Sequence, residues 1–149
     1  MRILTALTIV LVFTTTARAD WTQFRGDSTS TAPHENPPTE WNVETGKNIA
    51  WQADLPGKGL SGPIVVGDNV IVTASSGPKQ ARLHVLCFDA KSGKQRWARQ
   101  FWATGRTLIH ESSAVAANTP ASDGKLIYAF FSSNDLVCLD LHGDLQWFR

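Results

Sequence analysis

The chain has 149 residues, 14 Lys and Arg against 13 Asp and Glu, and a formal net charge of +1. A balance that close to neutral supplies no basic footprint for nucleic acid or for an anionic lipid surface. The length suffices for one modest core and is short for a closed repeat architecture.

Residues 1–19 read as a cleavable leader. Arg2 gives a positive start, residues 3–13 are largely apolar, and Ala17-Arg18-Ala19 has the small-x-small form of a cleavage site before Asp20. The apolar run is shorter than the roughly 20 residues of a comfortable membrane span. No Cys follows it to carry a lipid anchor. The expected destination is the periplasm or the medium, with retention as an uncleaved anchor the alternative. Losing Arg2 and Arg18 leaves 12 basic against 13 acidic residues, a charge of −1.

Residues 20–47 are dominated by polar and turn residues, with Gly26, Pro33, Pro37 and Pro38, and read as an irregular segment docked by Trp21 and Phe24. Residues 48–55 alternate like one strand around Trp51, after a Thr45-Gly46-Lys47 turn signal, and are expected at an edge. Residues 62–99 predict four strands: 63–66 and 69–75 around Gly67-Asp68, a solvent loop at 76–80, a third strand from Leu83, and a fourth ending at Trp97. Residues 112–149 predict the same unit again, incomplete at its end. Its first strand is expected at 112–116, an insertion at 118–122 lengthens the hairpin, and Asp123-Gly124 closes the turn. No stretch has helical periodicity.

The two units share a motif. Residues 83–97, LHVLCFDAKSGKQRW, recur at 136–147 as LVCLDLHGDLQW. Asp89, Gly93 and Trp97 match Asp140, Gly143 and Trp147, with one turn residue fewer in the second copy. The Asp can bond its own following backbone and the Gly accepts positive φ, so the motif reverses an antiparallel strand. Each Trp offers a surface that one sheet cannot cover, and burying it against a neighbour is worth on the order of 2–3 kcal/mol. Repetition at this period predicts an all-β partial propeller: about two four-stranded antiparallel blades plus a closing edge strand at Trp51. Cys87 and Cys138 occupy like positions in successive units, which favours buried free thiols over a bridge.

The motif, together with Trp21-Thr22-Gln23-Phe24-Arg25-Gly26 and Pro56-Gly57-Lys58-Gly59, resembles the pyrroloquinoline-quinone-like β-propeller repeat family. That family includes assembly-factor propellers of Gram-negative envelopes and exported planctomycete-type proteins. The resemblance implies seven or eight blades, so this chain reads as the amino-terminal part of a longer propeller, with a small open two-sheet protein as the alternative. An open sector leaves one blade face exposed to self-association or to the remaining blades of a longer parent.

Candidate chemistry is sparse. His34, His84, His110 and His142 lack short ligand spacing and read as isolated surface or edge histidines. Ser112, His110 and Asp123 match no nucleophile elbow. Asp27, Asp68 and Asp135 read as turn residues without the oxygen density of a calcium loop. The resemblance implies that quinone-dependent members hold their cofactor with vicinal cysteines, a stacking Trp, calcium ligands and a catalytic Asp, and none of these can be matched here. The expectation is no catalytic, cofactor-binding or metal residue in this chain. It reads as a noncatalytic exported scaffold that binds a protein or polysaccharide. The alternative is the amino-terminal part of a quinone-dependent alcohol or sugar dehydrogenase whose catalytic residues lie beyond it.

Overall fold

The computed structural model describes residues 20–26, 30–31 and 36–149. The leader reading, Asp27, Pro33 and His34 lie outside the described residues. Strands β1 (Ile64–Val66), β2 (Asn69–Ser76), β3 (Arg82–Asp89) and β4 (Gln95–Trp102) form one sheet, and β5 (Ala121–Ser122), β6 (Leu126–Phe130), β7 (Leu136–Asp140) and β8 (Leu145–Phe148) the other. Each is four-stranded and antiparallel, with its strands in chain order. This is the partial propeller that the repeat predicts. The register slips between Cys87 and Phe88 in the first sheet and between Cys138 and Leu139 in the second. The irregularity therefore belongs to the repeat, and in both copies it sits where the Cys faces the Trp, Cys87 opposite Trp97 and Cys138 opposite Trp147.

Alternation decides which face each strand buries. Ile71, Leu83, Val85 and Cys87 of the first sheet pack with Val115, Ile127, Ala129, Phe131, Val137 and Leu139 in one core between the sheets. The opposite face of the first sheet, with Ala74, Leu86 and Phe88, is covered by Trp51 and Leu55. Strand β3 is thus buried on both sides, which is why its sequence is almost continuously apolar.

The sheets are locked by tryptophan on glycine. Trp97 lies against Gly143 so closely that a Cβ there would stand 2.7 Å from the ring, and its Nε1 donates to the Leu141 carbonyl at 3.0 Å. Trp51 repeats the contact one unit earlier: a Cβ on Gly93 would meet its ring at 2.6 Å, and its Nε1 donates to the Ala90 carbonyl at 2.9 Å. Both glycines have positive φ, 68° and 84°, which a side chain would oppose even without the ring. The preceding Asp builds each receiving turn. Asp89 Oδ1 accepts from the Ser92 N–H at 2.8 Å, and Asp140 Oδ1 from the His142 and Asp144 N–H groups at 2.9 Å. Each Trp therefore serves the turn of the next unit, not its own.

Several expected boundaries move. Residues 49–55 are irregular, not an edge strand, because a strand exists only through a ladder partner and this segment has none among the described residues. No strand forms at 112–116 either. The Val115 and Ala116 N–H groups donate to Gln80 Oε1 and Ser75 Oγ of the first sheet, so they are withdrawn from any ladder. The outermost strand of the second sheet is β5, inside the expected insertion. Strand β4 runs on to Trp102, and the expected solvent loop contains a 3-10 turn, Pro78–Gln80. The amino-terminal segment docks by backbone: Trp21 exchanges two hydrogen bonds with Val65, both 2.8 Å, and Thr22 accepts from the Ser122 N–H. Phe24 remains 67% exposed under the Arg25 guanidinium, so it does not anchor the segment.

The lock makes a directional prediction. Gly143→Ala brings both the strain of positive φ and a collision with the Trp97 ring. It should destabilise the protein by roughly 2–3 kcal/mol in urea unfolding. Gly124→Ala, at φ 89° but with no atom near the added Cβ, should cost clearly less.

Candidate functional site

The β4–β5 connector crosses the end of the molecule opposite the locking turns, and with the Pro78–Gln80 turn it encloses an open groove of about 1000 Å³. Lys58, Lys79, Arg106, His110 and Glu111 line it, with Leu108 92% exposed at its rim. Three cations against one carboxylate make the groove a candidate seat for an acidic chain with apolar side chains.

Two polar side chains, one buried and one half-buried, shape it. Asp135 is fully buried and accepts from Thr104 Oγ1 at 2.5 Å, from the Thr104 N–H at 3.1 Å and from Ser133 Oγ at 2.6 Å. These bonds pin the start of the connector to the β6–β7 turn, so closely that a Cβ on Gly105 would lie 1.9 Å from the Ser133 carbonyl oxygen. On the facing wall, Gln80 Oε1 accepts from Ser75 Oγ at 2.8 Å and from the Val115 N–H at 3.1 Å. That bond pair holds Lys79 and Gln80 in left-handed conformations, φ 53° and 56°, that ordinary residues avoid. Asp135 and Gln80 both read as loop residues in the sequence. Long-range partners give them their roles, and no local pattern signals it.

The remaining candidates lie apart. Asp89 is engaged by Arg96 at 2.5 Å and by Ser92, and these bonds hold its carboxyl far below the usual carboxylate range. Asp123 accepts from the Lys125 and Leu126 N–H groups and from the Tyr128 hydroxyl, within its own hairpin. His110 Nδ1 meets Ser112 Oγ at 2.8 Å in an exposed turn, so Ser112, His110 and Asp123 do not assemble as a relay. His84 is buried in β3, not at a surface or an edge, with Ser76 Oγ 2.8 Å from its Nε2. Cys87 and Cys138 are free and buried in separate sheets, and burial pushes the Cys87 thiol up to about 11. Among the described residues no three His, Cys, Asp or Glu side chains gather to hold a metal. Nor do the residues present fit a quinone: the thiols are not neighbours, and the Trp51 and Trp97 rings are taken up by Gly93 and Gly143.

A family model described as outer membrane protein assembly factor BamB matches residues 14–149. A search of curated proteins gave no match. Among solved structures, a europium-containing methanol dehydrogenase is similar over 88% of this chain, with a TM-score of 0.57 and 18% identity, and this chain covers 23% of it. BamB from Moraxella catarrhalis is similar over 67% of this chain, with a TM-score of 0.47 and 22% identity, and 26% of it is covered. The chain thus spans about a quarter of the length of either structure. At that identity the dehydrogenase likeness concerns the fold.

Two outcomes test the site's construction. Asp135→Ala leaves the buried Ser133 hydroxyl unpaired and releases Thr104, which should cost roughly 1–3 kcal/mol in urea unfolding and expose the connector to limited proteolysis. For His84, burial first and Arg82 second lower the pKa from 6.5. The unfolded chain then takes up the proton more readily. The His84 contribution is fully present above about pH 6.5 and declines as the pH falls toward the lower folded value. Unfolding midpoints between pH 7.5 and 5 should fall, and His84→Gln should flatten that slope.

Proposed function

This chain belongs to the family of the outer membrane protein assembly factor BamB, and from that premise we propose that it is a noncatalytic, exported propeller scaffold that holds a protein partner. The connector groove carries this reading. It is an open concavity of about 1000 Å³, the hydrogen bonds of Asp135 and Gln80 build its walls, and it offers Lys58, Lys79 and Arg106 beside the bare Leu108. The carboxylates of the repeat support a noncatalytic role, because Asp89 and Asp140 are committed to backbone turns. Functional variation on a repeated scaffold concentrates in such connecting loops. Export rests on the leader at residues 1–19, and no helix among the described residues is long and apolar enough to cross a membrane. The dehydrogenase alternative draws on fold likeness, and its catalytic groups would have to come from outside this chain.

A labelled peptide alternating Glu and Leu is the direct probe of the groove. It should bind saturably, more weakly at raised salt, and at least tenfold more weakly to Lys79→Glu/Arg106→Glu; equal binding by the double variant would remove the groove from the reading. Titration with pyrroloquinoline quinone and calcium, read by absorbance and a dye-coupled alcohol assay, should show neither saturation nor turnover above a heat-denatured control. Saturable turnover would favour the dehydrogenase.

A further inference from the structure

One stretch of the β4–β5 connector has the character of a strand and lacks a ladder. Residues 106–110, Arg-Thr-Leu-Ile-His, run without a turn, and burial alternates along them: Thr107 and Ile109 are half-buried, whereas Arg106, Leu108 and His110 are exposed. Such alternation belongs to extended backbone lying on a surface, and Thr and Ile favour that conformation. Yet no hydrogen bond among the described residues engages the N–H or the carbonyl of Arg106, Thr107, Leu108 or Ile109. Other irregular segments nearby do pair. Lys58 exchanges two backbone bonds with Ser75, and the Leu60 N–H donates to the Ala116 carbonyl.

The stretch is nonetheless fixed in place. Before it, Asp135 holds Thr104, and Gly105 presses on the Ser133 carbonyl. In its middle, Ile109 packs against the core between the sheets. After it, the His110 carbonyl accepts from the Ser113 N–H at 2.9 Å, and the Glu111 carbonyl from Lys58 Nζ at 3.2 Å. The Lys58 backbone is held in turn by the glycines beside it. A Cβ on Gly57 would lie 2.2 Å from the Ser75 carbonyl oxygen, and one on Gly59 would lie 2.5 Å from that of Thr73. Close approach to β2 thus accounts for both glycines of Pro56-Gly57-Lys58-Gly59, and it places Lys58 against the connector. Extended backbone that is already held needs little ordering on binding.

We propose that residues 106–110 receive an extended acidic segment of the protein partner as an added strand. The inference rests on the groove reading above and names how the groove binds: main-chain bonds to the unpaired edge give affinity, and side chains at alternate positions select. Lys58, Lys79 and Arg106 line the groove around this stretch, so they favour carboxylates on the incoming strand, and the bare Leu108 favours an apolar neighbour. A second copy of this chain is the poorer occupant. Pairing the stretch with itself would bring the same cations together, and like charges facing across a strand pair are destabilising.

Amide hydrogen exchange of the full chain, read by NMR with the peptide alternating Glu and Leu, provides the test. Without peptide the amides of residues 106–109 should exchange freely. With saturating peptide every second one should slow by at least about tenfold, because only alternate N–H groups point at an added strand. A peptide N-methylated at every second amide keeps its side chains and loses the ladder donors of one edge. Of the two such versions, one should bind at least about tenfold more weakly than the parent. Saturable binding with unchanged exchange at residues 106–109, or with equal affinity for the parent and both methylated versions, would overturn strand addition and leave the groove reading standing. No saturable binding of the parent peptide would overturn both. Protection of these amides in the peptide-free chain that grows with protein concentration would assign the edge to a second copy and overturn the proposal.

Discussion

The structure depends on the approach of an indole to a glycine that has no Cβ. Two requirements meet at that glycine: positive φ, which reverses the strand, and an empty side-chain position, which lets the ring of the preceding unit lie flat on the backbone. The indole N–H then finds a carbonyl one residue beyond the Asp, so the polar edge of a largely buried ring is satisfied. Spacing and rotation between sheets are set by this contact before the aliphatic core is counted. Because the ring comes from one unit and the seat from the next, no unit is complete alone, and stability accrues between neighbours as in other repeat proteins.

The lock also explains where chemistry is scarce and where recognition is available. Each Asp of the motif faces inward to its own turn and binds backbone N–H groups, so its charge is directed away from any ligand. At the opposite end the connections differ between units: a five-residue link with a 3-10 turn joins β2 to β3, whereas a long connector joins β4 to β5. The end held uniform by the repeat is the end that must fit a neighbour. The irregular end is free to vary, and Asp135 and Gln80 make that irregular backbone rigid enough to present a surface.

The repeated Asp, Gly and Trp, the Gly67-Asp68 hairpin and the continuous apolar run of β3 are legible because each is a local requirement. Turn chemistry and two-sided burial leave marks within a few residues. The failures share one cause. Alternation around Trp51 reports that the segment has a buried side and an exposed side, but it cannot report whether another backbone pairs alongside, and none of the described residues does. Ala114, Val115 and Ala116 look like a buried strand because they are buried, yet the Val115 and Ala116 N–H groups serve Gln80 and Ser75 across the sheet boundary. His84 and Asp135 read as peripheral because their burial comes from residues distant in sequence, Leu55 and Trp51 over one face of β3 and Thr104 over the β6–β7 turn.

Equivalent positions in the repeat behave as internal controls, and their differences follow coverage. Cys87 is enclosed by two sheets, whereas Cys138, at the same place one unit later, is closed off beside Trp147, its partner across the strand, and Tyr128. Leu141 packs into the core beneath Trp97, while Val43, its counterpart beside the open Gly46 turn, is more than half exposed. Asn42 replaces the acid of the motif and still closes the turn with one amide oxygen, so the carboxylate charge is dispensable for shape. What distinguishes the three copies is therefore not their local fold, which is formed in each, but how much of the described chain covers it.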